Sequence, residues 1–562
     1  MTNVLEYLEA SAERGGHRIA VCDGTKEYTR SQLLDLSRRV GSALSTLAKR
    51  RSPVIVFMEK NVDTITAFFG SVYAGAFYCL IDPSLPPQRQ KQIRCSLSGS
   101  ERPAPDACSA PACGEHPVTD ACSVPAGSEH PVTDACSAPA CGEHPATDAC
   151  VVLTDSEHLA RAKEVFESCR ILEISSLQQC EPDPEGLGAV RARHLDTDPL
   201  YVNFTSGSTG VPKGVLICHR SVIDFINVFV RQFGIREDDV IANQAPLDFD
   251  VSVKDIYSAI LTGAKLVLVP RPLFTTPAPL LDFLCEQNTT VMIWAVSALT
   301  LVSAFHGLDY RVPDKVRMIL FSGEVMPLKR LKDWMDHLPD TEFVNLYGPT
   351  EITCNCTWHR IDRTRDYPDG IPIGRSFENE EAFLLDDKDR EITQPGVTGE
   401  ICVRGTAVGL GYWNMEEQTR ERFRKDPRTP QYASIIYCTG DLGCYNEKGE
   451  LLFRGRKDDQ IKYMGHRIEL AEVELAINRI PGVDRSCCIF DEKKDRLHGF
   501  YCGSIARKDL ALALKQQLPV FMIPGILHPM DALPVTGRGK IDRKALKELI
   551  APGGGRSGRS FV

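Results

Sequence analysis

The chain has 562 residues, 43% hydrophobic and 25% charged, with a formal net charge of −10. These proportions suit a globular protein able to bury more than one core, three or four units at roughly 150 residues each. The acidic balance argues against a nucleic-acid partner, and no run approaches the ~18 uninterrupted apolar residues of a membrane span.

The opening MTNVLEYLEASAERGGHRIA lacks the apolar stretch of a signal peptide. A large chain without a leader predicts a cytoplasmic protein whose 21 cysteines are reduced thiols. VIVFM at 54–58 reads as a buried strand. The run NVDTITAFFGSVYAGAFYCLID reads as a helix, a Gly break and a second strand. This alternation predicts α/β architecture with parallel strands.

Residues 106–147 hold a 14-residue unit three times over: DACSAPACGEHPVT, DACSVPAGSEHPVT and DACSAPACGEHPAT. Histidines 116, 130 and 144, with cysteines 108, 113, 122, 136 and 141, are zinc-ligand types. Yet each unit carries two prolines and little to bury, so ordering it is costly. Solenoid repeats also run to about 20 residues or more. An expanded, disordered surface loop is the favoured reading over a metal site.

From 151 the α/β pattern resumes. VVLTD, VIANQAPLDFD, AKLVLVP, VMIWAV and RMILFSGE are expected strands, and KEVFESCRIL and LLDFLCEQ expected helices. EICVRG and ELLFRGR suggest a smaller β region. After RGRKDDQIKYMGHRIELAEVE, with a helix expected near Glu469, a small α+β unit should follow. The predicted organisation is a large N-terminal domain of layered α/β subdomains (1–455), a small mobile α+β domain (456–550) and a flexible Gly/Ser/Arg-rich tail (551–562).

Four segments carry chemistry. NFTSGSTGVPKGV at 203–215 sets hydroxyls and backbone N–H groups side by side and adds Lys213, as a phosphate cradle needs. It fails the common P-loop pattern, with Pro212 where that pattern has Gly and Gly214 where it has Ser or Thr. In NLYGPTEIT at 345–353, Tyr347 could stack on a base and Glu351 could reach a phosphate-bound Mg²⁺. In YCTGDLGCYNEKGELLFRGRKDDQIK at 437–462, Asp441 follows a Thr-Gly turn, where a carboxylate suits ribose hydroxyls. In LPVTGRGKIDRKAL at 533–546, Lys540 lies in a Gly-rich loop. Read singly, each also has a plain structural reading, a linker, a turn, a hairpin and a solvated lysine; the loop alone favours phosphate binding, and the lysine alone favours a solvated side chain.

Together and in this order they resemble the adenylate-forming superfamily of acyl-CoA synthetases, luciferases and peptide-synthetase adenylation domains, from about residue 15 to 548. LDFDVSVKDIYSAILTGAKLV, FSGEVMP and GRGKIDRKAL resemble its amino-acid-activating members, stand-alone adenylation enzymes and D-alanine–carrier protein ligases in particular. The resemblance implies ATP with Mg²⁺, attack of a carboxylate on the α-phosphorus, and transfer of the acyl group to the phosphopantetheine thiol of a separate carrier protein. An acyl- or aryl-CoA ligase using coenzyme A is the alternative.

The resemblance also assigns roles. Thr205, Ser206, Gly207, Ser208, Thr209, Gly210 and Lys213 should hold the β- and γ-phosphates. Gly323, Glu324 and Val325 should line an adenine slot with Tyr347. Thr350 and Glu351 should lie near the α-phosphate and Mg²⁺, with Asp441 and Arg456 on the ribose. Lys540 should be the catalytic lysine and Asp458 the hinge, with Lys462 and Gly465 facing a thiol tunnel after the swing. Asp250 should pair with the substrate ammonium, in a pocket of Val251, Lys254, Trp294, Leu320, Ser322, Leu346, Cys354 and Asn355. A Lys254 pointing inward implies an acidic side chain; pointing outward, it is a solvated charge. Small polar, acidic and D-alanine substrates all stay open.

Overall fold

The structure, a computed structural model, describes residues 1–99, 150–207, 209–492, 494–536 and 541–550. The repeats at 106–147, Ser208, Lys540 and the tail at 551–562 lie outside the described residues.

Two large sheets carry the N-terminal part. In the first, six parallel strands lie side by side in the order Ile19–Cys22, Lys265–Leu268, Val240–Asn243, Val291–Ala295, Met318–Ser322, Glu342–Tyr347. Their sequences, such as IAVC, VMIWA and MILFS, are continuously apolar because both faces are covered. Antiparallel strands finish each edge: Glu27–Thr29 at one, Thr357–Arg360 and Arg375–Ser376 at the other. Val240–Asn243 has its successor Lys265–Leu268 on one side and the next strand, Val291–Ala295, on the other. At such a reversal of strand order the crossover connections diverge and leave a crevice beyond the carboxyl ends of the strands.

The second sheet runs Gly411–Tyr412, Lys213–Cys218, Pro199–Thr205, Phe77–Leu80, Pro53–Phe57, Val151–Thr154, Arg170–Glu173. The helices Arg30–Ser45, Val62–Tyr73, His219–Phe233 and Val251–Thr262 contribute to one large apolar cluster with residues of both sheets. Val251–Thr262 is deeply enclosed. Every residue from Ser252 to Ile260 is buried, and Gly263 ends the helix in the left-handed conformation, φ 83°.

A smaller β region follows, ordered Glu391–Ile392, Glu380–Leu385, Gly399–Gly405, Ile435–Tyr445, Phe423–Lys425, with Leu451–Arg456 also on Ile435–Tyr445. Beyond it the hairpin Gln460–Tyr463/His466–Glu469 leads into helix Leu470–Asn478 and a three-stranded sheet, Val483–Asp491, Arg496–Gly503 and Ile526–Pro529. These elements close on their own core of Ile468, Val473, Ile477, Leu510 and Leu514. No helix among the described residues is long and apolar enough to cross a membrane.

Two expected elements change. KEVFESCRIL does not continue as a helix. The helix Leu159–Val165 stops, and Arg170–Glu173 pairs in parallel with Val151–Thr154, because a free sheet edge outweighs helical periodicity. VIANQAPLDFD is a strand only to Asn243. Pro246 cannot donate to a ladder and instead accepts from Phe249 N–H in a turn that aims the chain into the buried helix.

Candidate active site

Strand Glu342–Tyr347 ends in Gly348-Pro349, a single turn over Thr350–Ile352, and a reversal into Thr357–Arg360. Gly348 is required by close approach, since a Cβ there would lie 2.4 Å from Asn355 Cα. Thr353 and Cys354 both take positive φ, 53° and 82°, costly for residues with a Cβ and typical of functional loops. This reversal sinks Glu351 to 1% exposure. Its carboxylate accepts from Tyr412 O–H at 2.7 Å, and Arg467 Nη1 donates to both oxygens, Oε1 at 2.9 Å and Oε2 at 2.8 Å. Burial alone would raise the Glu351 carboxyl, but Arg467 and the tyrosine hydroxyls hold it below its ordinary range.

Within Ile435–Tyr445 the register against Gly399–Gly405 slips between Glu400 and Cys402. The resulting bulge turns Asp441 inward. Asp441 is buried, accepts from Tyr347 O–H at 2.6 Å and is ion-paired with Arg456. Arg456 also grips Asp458, Nε to Oδ1 at 2.6 Å and Nη2 to Oδ2 at 2.9 Å. The expected hinge residue is thus tied to the expected ribose pair.

The Ser/Thr/Gly loop joins Pro199–Thr205 to Lys213–Cys218. Gly207 folds so tightly that a Cβ would meet Val211 O at 2.0 Å. Its N–H donates to the Glu472 carboxylate at 3.2 Å, and Glu472 is paired with Arg89. Ser206 Oγ donates to Arg467 O at 2.7 Å and accepts from Glu469 N–H at 3.2 Å. Thr209 is exposed, Gly210 is buried at φ 75°, and Lys213 Nζ lies 3.9 Å from Glu469. In this arrangement the small domain's own carboxylates meet the loop's donors. An anion is what such a nest of amides and a lysine accommodates.

Asp250 and Lys254 sit one turn apart at the start of the buried helix, 8% and 0% exposed. Lys254 points inward and its ammonium donates to Asn355 Oδ1. Burial lowers the Lys254 pKa and raises that of Asp250; Thr350 and Lys254 oppose the rise. Cys354 Sγ lies 2.9 Å from Asp250 O. Leu320, Leu346 and Cys354 belong to the same apolar cluster, Ser322 follows Leu320 on the same face of its strand, and Val251 opens the helix. Trp294 does not join them. It packs in the opposite cluster against Phe274, with its indole N–H donated to Ala242 O at 2.8 Å. Strand alternation puts Ala295, paired with Ser322, on the pocket face instead.

The expected adenine wall is only partly assembled. Gly323 is at φ 96°, Glu324 accepts from Gly465 N–H, and Val325 is 68% exposed. Lys462 lies over the Tyr347 ring, Nζ 5.2 Å from its centre. Arg89, Arg467, Glu469 and Glu472 were missed by sequence reading. Arg467 and Glu469 lie within GHRIEL, whose dense charge was the available signal.

Comparison with known proteins agrees with this geometry. The chain is 34% identical over 402 residues to tyrocidine synthase 3 of Brevibacillus parabrevis, covering 70% of this chain and 6% of that one. It is 35% identical over 355 residues to an L-proline--[L-prolyl-carrier protein] ligase of Streptomyces coelicolor, covering 61% of this chain and 64% of that one. The chain therefore spans less than two thirds of these relatives' lengths. The fold is shared with the Vibrio cholerae adenylation domain AlmE in complex with glycyl-adenosine-5'-phosphate, at TM-score 0.78 and 20% identity over 98% of both chains. Residues 8–413 match the AMP-binding enzyme family, and the chain belongs to that family.

Proposed function

We propose that the protein activates an amino acid with ATP, forming an aminoacyl-adenylate and pyrophosphate, then passes the acyl group to the phosphopantetheine thiol of a separate carrier protein. The observation that carries the amino-acid reading is the buried Asp250 carboxylate at the crevice. A carboxylate in an apolar pocket is costly unless paired, and a substrate ammonium would pair it. Lys254, buried one turn further in, favours a substrate side chain with a carboxylate or another acceptor. The proline ligase and the glycyl-adenylate complex among the relatives support an amino-acid substrate class.

The residues divide the work. The Ser/Thr/Gly loop and Lys213 bind the departing pyrophosphate. Asp441, Arg456 and Tyr347 orient the nucleoside. In-line positioning supplies much of the acceleration, and Lys540 offsets the charge that develops as two anions meet. Glu351 and Thr350 would supply the hard oxygens Mg²⁺ takes, although both Glu351 oxygens bond Arg467 in this arrangement. When bound, Mg²⁺ would neutralise phosphate charge. We take residues 456–550 as a domain that turns about Asp458, withdrawing Arg467 for adenylation and returning it for thiol capture.

Asp250→Asn tests the reading. The expected result is a rise of roughly 100-fold in the amino-acid KM, about 2.7 kcal/mol, with the ATP KM little changed. Full amino-acid activity in this variant, or a preference for plain carboxylic acids by the native enzyme with coenzyme A as acceptor, would favour the CoA-ligase alternative.

A further inference from the structure

On the outer face of the small β region two cysteines meet that the proposed reaction does not use. Cys402 and Cys438 are directly opposed in the antiparallel pairing of Gly399–Gly405 with Ile435–Tyr445, and their sulfurs are 3.7 Å apart. Sheet geometry holds opposed Cβ atoms about 4.5–5.5 Å apart, close to the ~3.5–4.5 Å a disulfide spans, so the bond forms with little strand movement. The two thiols sit in a small cluster with Phe383, Leu385 and Ile436, separate from the main cores. Arg424 covers it, donating Nε–H to Cys438 Sγ at 3.2 Å. Cys402 is 0% and Cys438 4% exposed, so a small oxidant reaches the pair only when the partly exposed Arg424 side chain, 37%, shifts. Hydrogen bonding from the Cys402 thiol, and the Arg424 charge beside it, lower the Cys438 pKa, while Cys402 is pushed up. The nucleophile and the resolving thiol are thereby distinguished.

We propose that Cys402 and Cys438 are a reversible redox modification site, oxidised to a cross-strand disulfide by hydroperoxides. The Cys438 thiolate attacks one oxygen of hydrogen peroxide, the O–O bond breaks, Cys438 becomes a sulfenic acid, and the other oxygen departs as hydroxide and is protonated to water. The Cys402 thiol then attacks that sulfur, forming S–S and releasing a second water. Two thiols and one hydrogen peroxide give one disulfide and two waters, and a dithiol reverses it. The bond falls at the edge of the Thr439–Asp441 bulge, where Thr439 Oγ1 donates to Ile401 O at 2.8 Å and Asp441 N–H to Thr439 Oγ1 at 2.9 Å.

The test is peptide mapping of the intact protein after graded hydrogen peroxide, with remaining thiols alkylated in denaturant. The expected product is a Cys402–Cys438 linked peptide, two hydrogens lighter than its reduced parts, appearing at peroxide levels that leave the protein folded and lost on dithiothreitol treatment. In Cys402→Ser, Cys438 should stop at the sulfenic acid and be trapped by dimedone. Recovery of both cysteines as free thiols while other cysteines oxidise would overturn the proposal, as would their accumulation as separate sulfinic acids. The native-protein map needs no variant to fold.

Discussion

At the scale of single residues the site is a set of charges held out of water by their partners. Asp250 must be ionised to receive an ammonium, and burial raises its pKa. Protonation therefore begins at a higher pH than for an ordinary carboxylate near 3.9. The amino-acid KM should climb as pH falls, with its onset displaced upward from that of an ordinary carboxylate, and Asp250→Asn should flatten that limb. Initial rates at fixed saturating ATP measure it, and a pH-independent KM would contradict the role. Much of this set was legible in the sequence, because motif spacing names residue types and their order. Spacing names a residue but not the face it presents. Trp294 was expected in the pocket, while strand alternation sends its indole to the Phe274 side and leaves Ala295 facing Ser322.

At the scale of elements, the hairpin Gln460–Glu469 is a two-sided plug. It sends Arg467 to Glu351, Lys462 over Tyr347, Gly465 to Glu324, and is followed by Glu472 on Gly207. These contacts join positions 115 to 265 residues apart and leave no local pattern to read. They predict a division of phenotypes. Arg467→Ala removes the arm that holds this arrangement, so thiol capture from preformed adenylate should drop at least roughly tenfold, about 1.4 kcal/mol, with exchange activity largely kept. Lys540→Ala should show the reverse, near-complete loss of adenylate formation with transfer from supplied adenylate retained. Single-turnover assays of each half-reaction separate the two, and equal losses in both halves would contradict domain alternation.

At the scale of the whole molecule, the α/β alternation and the late small domain were readable from periodicity. The strand order was not, since it depends on which parallel edge each crossover finds. The same packing predicts a stability profile. His219 starts the helix His219–Phe233 at 0% exposure, accepting from Val4 N–H at 3.4 Å. Burial lowers its pKa from the ordinary 6.5 to about 3. The folded form keeps it neutral while the unfolded form protonates near pH 6.5. Stability is thus fully present above that pH and lost as pH falls from 6.5 toward 3, by at most about 1.4 kcal/mol per pH unit for this group. Thermal midpoints between pH 7 and 4 should fall less steeply for His219→Gln than for the native protein. Parallel slopes would remove His219 from the account.

Amino-acid-dependent exchange of pyrophosphate into ATP is the direct assay for amino-acid adenylation. The panel should hold the L-amino acids, glycine, D-alanine, D-serine, and several aryl and fatty acids. A sharp signal is expected with one amino acid, its side chain bearing a carboxylate or other acceptor for Lys254, and none in Lys540→Ala. Silence with every amino acid beside a signal from a plain carboxylic acid would contradict the role given to Asp250 and leave the CoA-ligase reading in its place.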